Sequence, residues 1–237
     1  MKKTLLILFL IVCVQILDVQ AQMSGGMNPM AKSTTSSNEM VGKAEPNIWE
    51  AFQKRRSVRK FRPDAIPEGD ITKIIDAARM APTSGNQQPW KFLVIRDRKL
   101  IDRMIEACAQ GSAKNFTPNG MNGTKEEFLE KRRKTFSEGY FSAPVFIVVL
   151  TDNNSKYPDY NHWDGPLAAG YLMLAARALG YGTVFVTDAI PESVTTEVLQ
   201  IPDNYTRVCI TPLGIPFEWP ATPDKKKLED FISYDKL

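Results

Sequence analysis

The sequence predicts a domain of mixed α and β structure, α/β or α+β, built on a mixed sheet. Short apolar runs rich in β-branched residues alternate with segments of helical period: KFLVIR (91–96), PVFIVVLT (144–151), GTVFVTD (182–188) and TRVCITPLG (206–214). The second of these is almost wholly apolar, as a strand covered on both faces must be. A composition of 43% hydrophobic and 24% charged residues over 237 positions is an ordinary globular balance, enough for one sizeable core. The net charge of +3 is too small to argue for nucleic acid or a membrane surface as partner. Local clusters carry more information than the sum.

Residues 1–21 stand apart from the fold. Lys2 and Lys3 precede the apolar run LLILFLIVCV, and Val19-Gln20-Ala21 places small residues where a signal peptidase reads. A Sec-type signal is expected, with the product periplasmic or secreted and no membrane span in the mature chain. A lipoprotein would acylate Cys13, but bulky Ile11 and Val12 precede it inside the apolar run. Residues 22–46 are rich in Ser, Thr, Gly and Met without period and read as a flexible linker. The folded domain is expected over 47–237.

Asn47 is placed to cap a helix over NIWEAFQKRRS, with Ile48, Ala51 and Phe52 on one face. Pro67 opens the next, where Ile71, Ile74, Ile75 and Ala78 recur until Pro82 stops it. Asp97 caps a third, carrying Leu100, Ile101, Met104 and Ile105. Asp164 and Gly180 bracket a long apolar helix, and Pro191 opens a short one between the last two strands.

Residues 110–142 break the pattern: a loop-like GSAKNFTPNGMNG, then a polar helix over KEEFLEKRRKTFSEGYF. Such an excursion often walls a site. Cys108 falls on a helix and Cys209 in a strand, so free, buried thiols are expected rather than a disulfide. One histidine and no CxxC pair give no expectation of a metal site.

Two clusters could carry chemistry. In RRSVRKF (55–61) and its flanks, Lys54, Arg55, Arg56, Arg59, Lys60 and Arg62 crowd around Ser57. Guanidinium groups grip phosphate through paired hydrogen bonds, yet a solvated basic face near a helix C-terminus has the same composition. In PTSGNQQPW (82–90), small residues let backbone approach a ligand, though a plain polar loop needs them too.

Taken together, the two stretches resemble the nitroreductase family of flavin enzymes. The resemblance runs through RRSVRKF, AARMAPTSGNQQPWKFLVI (77–95), DGPLAAGYLMLAARALGYGT (164–183), IPDNYTRVCITPLGIP (201–216) and PDKKKLEDFI (223–232), about residues 48–232 in all. It implies an α+β fold: three α/β/α layers on a mixed, mainly antiparallel sheet, in an intertwined homodimer with noncovalent FMN at the subunit interface. By the same resemblance Arg55, Arg56, Ser57 and Arg59 surround the FMN phosphate and ribityl chain, completed by Lys225, with Lys226 beside it. Pro82, Thr83, Ser84 and Asn86 form a turn reaching the flavin from the partner subunit. Thr187 and Asp188 follow the strand that ends beside the ring.

The activity implied is hydride transfer from NAD(P)H through flavin N5 to a nitroaromatic, quinone or similar small electron-poor acceptor, in a ping-pong cycle. The cofactor carries the chemistry, so no catalytic side chain is expected, and His162 reads as an ordinary surface or helix-start histidine. Two alternatives remain. One is reductive dehalogenation of an aromatic amino acid, with Glu126, Glu127, Lys131 and Tyr140 as lid residues of the right types. The other is an FMN carrier without turnover. Export would separate this chain from relatives expected to work in the cytoplasm.

Overall fold

The computed structural model describes residues 47–117 and 123–237; the expected signal and linker lie outside the described residues. Helix α1 (Ile48–Lys54) starts where Asn47 accepts the Trp49 N–H at 2.9 Å. Helix α2 (Glu68–Ala78) follows Pro67, and α3 (Arg98–Ser112) is capped by Asp97, which accepts the Lys99 N–H at 2.9 Å. A reciprocal pair, Thr124 and Glu127, caps α4 (Lys125–Glu138). Two more helices are α5 (Asn161–Ala178) and α6 (Glu192–Leu199), the latter ending at left-handed Gln200.

Strands β1 (Trp90–Ile95), β2 (Val145–Asp152), β3 (Gly182–Thr183) and β4 (Tyr205–Gly214) pair antiparallel in the order β1-β2-β4-β3. The parallel contribution is an isolated bridge from Ser57 to Thr183. Val148 sits opposite both Leu93 and Ile210 at the centre of the sheet.

Strand alternation divides β2 between two cores. Phe146, Val148 and Leu150, with Ile210, meet Ile101 and Met104 of α3, Phe136 of α4 and Val194 of α6. Val145, Ile147 and Val149, with Leu213, meet Ile71 and Ile74 of α2 and Leu172 and Ala176 of α5. These are the three layers of an α+β fold. Each fully buried Ile, Leu or Phe contributes about 1.5–3 kcal/mol, so the central strand is the main organiser.

Four details differ from expectation. Helix α5 begins three residues before Asp164, because a single turn at Pro158–Tyr160 feeds directly into it. Asp164 is therefore a first-turn residue, 3% exposed, rather than a cap. The run 182–188 pairs continuously only at Gly182 and Thr183, bends, and touches β4 again through a Val186–Ile210 bridge. Helix α3 continues through Ser112, into the stretch read as loop, and β1 is fully buried only at Ile95.

Two contacts fix the helices on the sheet. At Gly165 an added Cβ would lie 2.3 Å from Val208 Cγ2 and 3.0 Å from Thr151 Cγ2, so α5 rests directly on β2 and β4. Helix α4 buries Leu129 and Phe136 and is tied to α3 by Arg133, which donates to Glu106 at 2.7 Å and, within α4, to Glu126 at 2.8 Å. Cys108 and Cys209 are free and buried, and burial pushes their thiols up to about 11 and about 12 respectively. No helix among the described residues is long and apolar enough to cross a membrane.

Candidate functional site

Helix α1 stops at Arg55, whose backbone turns extended (φ −61°, ψ 131°) and carries the basic run along the edge of the sheet. Val58 and Phe61 point inward and are 1% and 3% exposed. Backbone bonds hold the run there: Val58 N–H donates to Thr183 O at 3.0 Å, and Arg62 N–H to Ile215 O at 2.9 Å. With the apolar residues turned in, Arg55, Arg56, Ser57 and Arg59 line a cleft of about 850 Å³. The chain after β4 returns to form its other wall, with Thr222 and Lys225.

That returning segment is fastened by stacking. Arg177 of α5 lies 3.8 Å from the centre of the Trp219 ring, and Lys60 lies 4.5 Å from that of Phe217. Burial lowers the Arg177 pKa, opposed by the Glu50 carboxylate nearby.

The cations of the cleft have different occupations. Arg56 donates to the carbonyls of Gln53 and Arg55, each at 2.7 Å, and to the Thr222 hydroxyl. It clasps helix end and returning segment together. Arg59 donates to Ser57 O at 3.1 Å. Arg55 and Lys225 make no ion pair or side-chain hydrogen bond among the described residues. Lys226 does not line the cleft. A phosphate monoester carries close to two negative charges near neutral pH. The donor set of Arg55, Arg59, Lys225 and the Ser57 hydroxyl fits such a group in both charge and hydrogen bonding.

The second cluster is a turn of unusual backbone. Gly85, Asn86 and Gln88 have φ of 55°, 53° and 49°, the left-handed region. Thr83 Oγ1 accepts the Gln88 N–H at 3.2 Å, bracing the turn across its base. Asp164 accepts the Ser84 N–H at 3.1 Å and the Gln87 amide at 2.7 Å. The Tyr157 ring covers Gly85 so closely that an added Cβ would be 2.6 Å from Cε2. Gly85 and Asn86 face outward. None of Pro82, Thr83, Ser84 or Asn86 lines the basic cleft of its own chain.

Thr187 and Asp188 are exposed just beyond the Val186–Ile210 bridge. Their loop is held by Arg207, which donates to Thr187 O at 2.7 Å and Ile190 O at 2.8 Å. Burial lowers the Arg207 pKa, against the pull of Glu192. His162 is exposed beside Trp163 and lines a separate cleft of about 490 Å³ at the start of α5.

Sequence reasoning missed Thr222, Asp164, Gln87 and Arg207. Thr222 had one signal, its position between Pro220 and Pro223, where no helix or central strand can form. The others act through long-range pairings that no local pattern encodes.

Comparison with known proteins agrees with the fold. The profile of the Nitroreductase family matches residues 52–215. An iodotyrosine deiodinase from Thermotoga neapolitana is 30% identical over 170 residues, covering 71% of this chain and 88% of that protein. A protein of Archaeoglobus fulgidus named for the NADH dehydrogenase/NAD(P)H nitroreductases is 34% identical over 168 residues, covering 68% and 81%. The crystal structure of an oxidized iodotyrosine deiodinase bound to FMN and 3-iodo-L-tyrosine matches with a TM-score of 0.63 at 25% identity, covering 81% of this chain and all of that one. With its fold, its motifs and more than half its length in agreement, the chain belongs to the nitroreductase family.

Proposed function

We propose that this chain is an exported FMN-dependent oxidoreductase, taking hydride from NAD(P)H and passing it to a nitroaromatic, quinone or similar electron-poor acceptor. The observation that carries the reading is the basic cleft, which Arg55, Arg59 and Lys225 line together with Ser57, a donor set suited to a phosphate group. When bound, FMN supplies hydride acceptance and donation at its ring nitrogen N5. The chain's own task is to bind, orient and shield. Arg55, Arg59 and Lys225 hold the phosphate, while Arg56 keeps the wall of the cleft closed through Thr222. In this reading Thr187 and Asp188, on the loop that Arg207 anchors, would lie beside the ring.

The reading includes a homodimer, with the turn 82–86 serving the flavin of the partner subunit. Support comes from apolar side chains left exposed on two helices. On α1, Trp49 and Phe52 are 70% and 54% exposed; on α5, Trp163 and Leu167 are 58% and 44% exposed. It also includes the Sec-type leader at 1–21, with the enzyme acting outside the cytoplasmic membrane.

The test is a visible spectrum of the purified protein, repeated anaerobically after addition of NADH or NADPH. A flavin band that bleaches is expected. The absence of any flavin, even after FMN is added, would sink the proposal. A band that persists would leave a flavoprotein with another electron donor, or a carrier.

A second reading is reductive dehalogenation of an aromatic amino acid. It draws support from the iodotyrosine deiodinases among the relatives. Two of its lid residues are engaged elsewhere, however. Glu127 accepts the Thr124 N–H at 2.6 Å in the cap of α4, and Glu126 accepts from Arg133 at 2.8 Å. A carboxylate can accept more than one hydrogen bond, so a zwitterion's ammonium group would compete for these two side chains rather than be excluded from them. Halide release from a halotyrosine, measured beside nitro reduction, separates the two.

A further inference from the structure

Asp164 is 3% exposed, a carboxylate on a helix otherwise packed against apolar strands. Burying such a group is costly unless it is hydrogen-bonded. Its two oxygens go to a single structure. Oδ1 accepts the Ser84 N–H at 3.1 Å and Oδ2 accepts from Gln87 Nε2 at 2.7 Å, both within the turn 82–88. An acid in the first turn of a helix is ordinarily useful to the helix dipole. This one is aimed sideways, at a segment 80 residues earlier in the chain.

The turn needs such a clamp. Gly85, Asn86 and Gln88 are all left-handed, and for a residue with a Cβ that conformation costs roughly 1–2 kcal/mol. Gln87 supplies the second hold. Its Oε1 accepts the Tyr157 N–H at 2.7 Å and its Nε2 also reaches Tyr157 O at 3.0 Å, so the side chain grips one backbone unit from both sides. The Tyr157 ring then lies on Gly85. The frame is itself tied down: Asn161 donates to Asp152 O at 2.9 Å and accepts from Ser155 Oγ at 3.1 Å. A left-handed turn held by a dedicated, partly buried polar network, with Gly85 and Asn86 presented outward, marks a surface kept ready for a ligand.

We propose that Asp164 and Gln87 are positioning residues, which hold the 83–88 turn in its left-handed form so that it can contact the uncharged part of the flavin. The inference rests on the FMN reading above. Phosphate charge is met in the basic cleft by Arg55, Arg59 and Lys225. The turn from Thr83 to Gln88 carries no cation, so what it offers is backbone polarity and close approach.

The phosphate therefore separates the two sites experimentally. FMN and riboflavin, which lacks the phosphate, would be titrated by fluorescence quenching into the full domain and its D164N and Q87A variants. Hydrogen exchange at the Ser84 amide would be followed in parallel. For D164N both ligands should bind about 10-fold more weakly, the loss of one charge-assisted bond, with their affinity ratio unchanged. Q87A should lose about 5-fold, again equally for both ligands. Ser84 exchange should accelerate in each, while amides of the central strand do not change.

Unaltered flavin affinity in a folded variant overturns the proposal, and so does a loss confined to FMN. If D164N does not fold, Q87A decides, since Gln87 is only half-buried. Wild-type protein that binds no FMN removes the parent reading, and this inference falls with it; that failure is recognised because it needs no variant.

Discussion

The two arms of the candidate site are built on opposite principles. The basic segment 55–62 brings charge and little conformational cost: its backbone is ordinary extended chain, pinned by Val58 and Phe61 in the core. The turn 83–88 brings conformation and no charge: Gly85 and Asn86 accept the left-handed region readily, Gln88 does not, and Asp164 holds the turn in that shape. The difference separates two routes to affinity. Charge gains from the ligand directly, whereas a preformed turn avoids an ordering cost at the moment of binding.

The largest effect should come from removing charge. R55A combined with R59A is expected to weaken FMN by about 100-fold or more, since two bonds to a charged group are lost. The fold should survive, because both side chains reach into the cleft rather than the core. Purified double variant that keeps stoichiometric yellow colour would contradict the phosphate assignment and collapse the contrast between the arms.

A smaller effect should come from the turn. G85A places a Cβ on a residue with φ of 55° and 2.6 Å from the Tyr157 ring, at a cost of about 1–2 kcal/mol. Flavin titration should show roughly 10-fold weaker binding, with Tyr157 displaced. Binding equal to wild type would mean that the turn does not meet the ligand.

T222A tests the clasp on Arg56 and should be milder still. Losing one hydrogen bond of about 1 kcal/mol predicts roughly 5-fold weaker FMN and a faster off-rate, as the returning wall loosens. If Arg56 instead turns to the phosphate once released, affinity will rise, and stopped-flow release of FMN will show it.

The smallest effect is a control outside the residues of both arms. The Tyr181 hydroxyl donates to Asp70 at 2.6 Å, and burial, then that bond, pushes its pKa from 10.0 up to about 12. Folding therefore favours the neutral phenol. The associated stability is whole below pH 10, the unfolded value, and is lost as pH rises toward 12. Alkaline denaturation of Y181F should be flatter across that window than that of wild type, with flavin binding at neutral pH the same in both. A parallel fall in the two curves would count against the assignment.

Sequence legibility followed the same division. Asn47, Pro67 and Asp97 mark helix starts by local chemistry, and they were readable because capping and proline geometry act over three or four residues. The apolar run of β2 announced a strand buried on both faces, and the structure gives it two cores. Charge was equally plain in RRSVRKF. Asp164 was misread because aspartate favours N-caps, and only the contact with Ser84 reveals its inward aim. The run 182–188 has the β-branched content of a strand, yet its partner is available only at Gly182, Thr183 and Val186, a matter of register. Lys225 and Lys226 are identical as letters; the path of the returning segment alone distinguishes them.

Gly165 has a further consequence. Because no side chain larger than hydrogen fits at this point between α5 and the sheet, with Val208 Cγ2 at 2.3 Å from a notional Cβ, the first turn of the helix has one close seat. Asp164 is its immediate neighbour, so the seat also sets the bearing of that carboxylate. Helix α4 is held differently: Leu129 packs against Ala109 of α3 and Ala113 just beyond it, and Arg133 adds one exchangeable surface ion pair to Glu106. The molecule thus joins a seat fixed by close backbone approach to a helix held by side chains that can be exchanged.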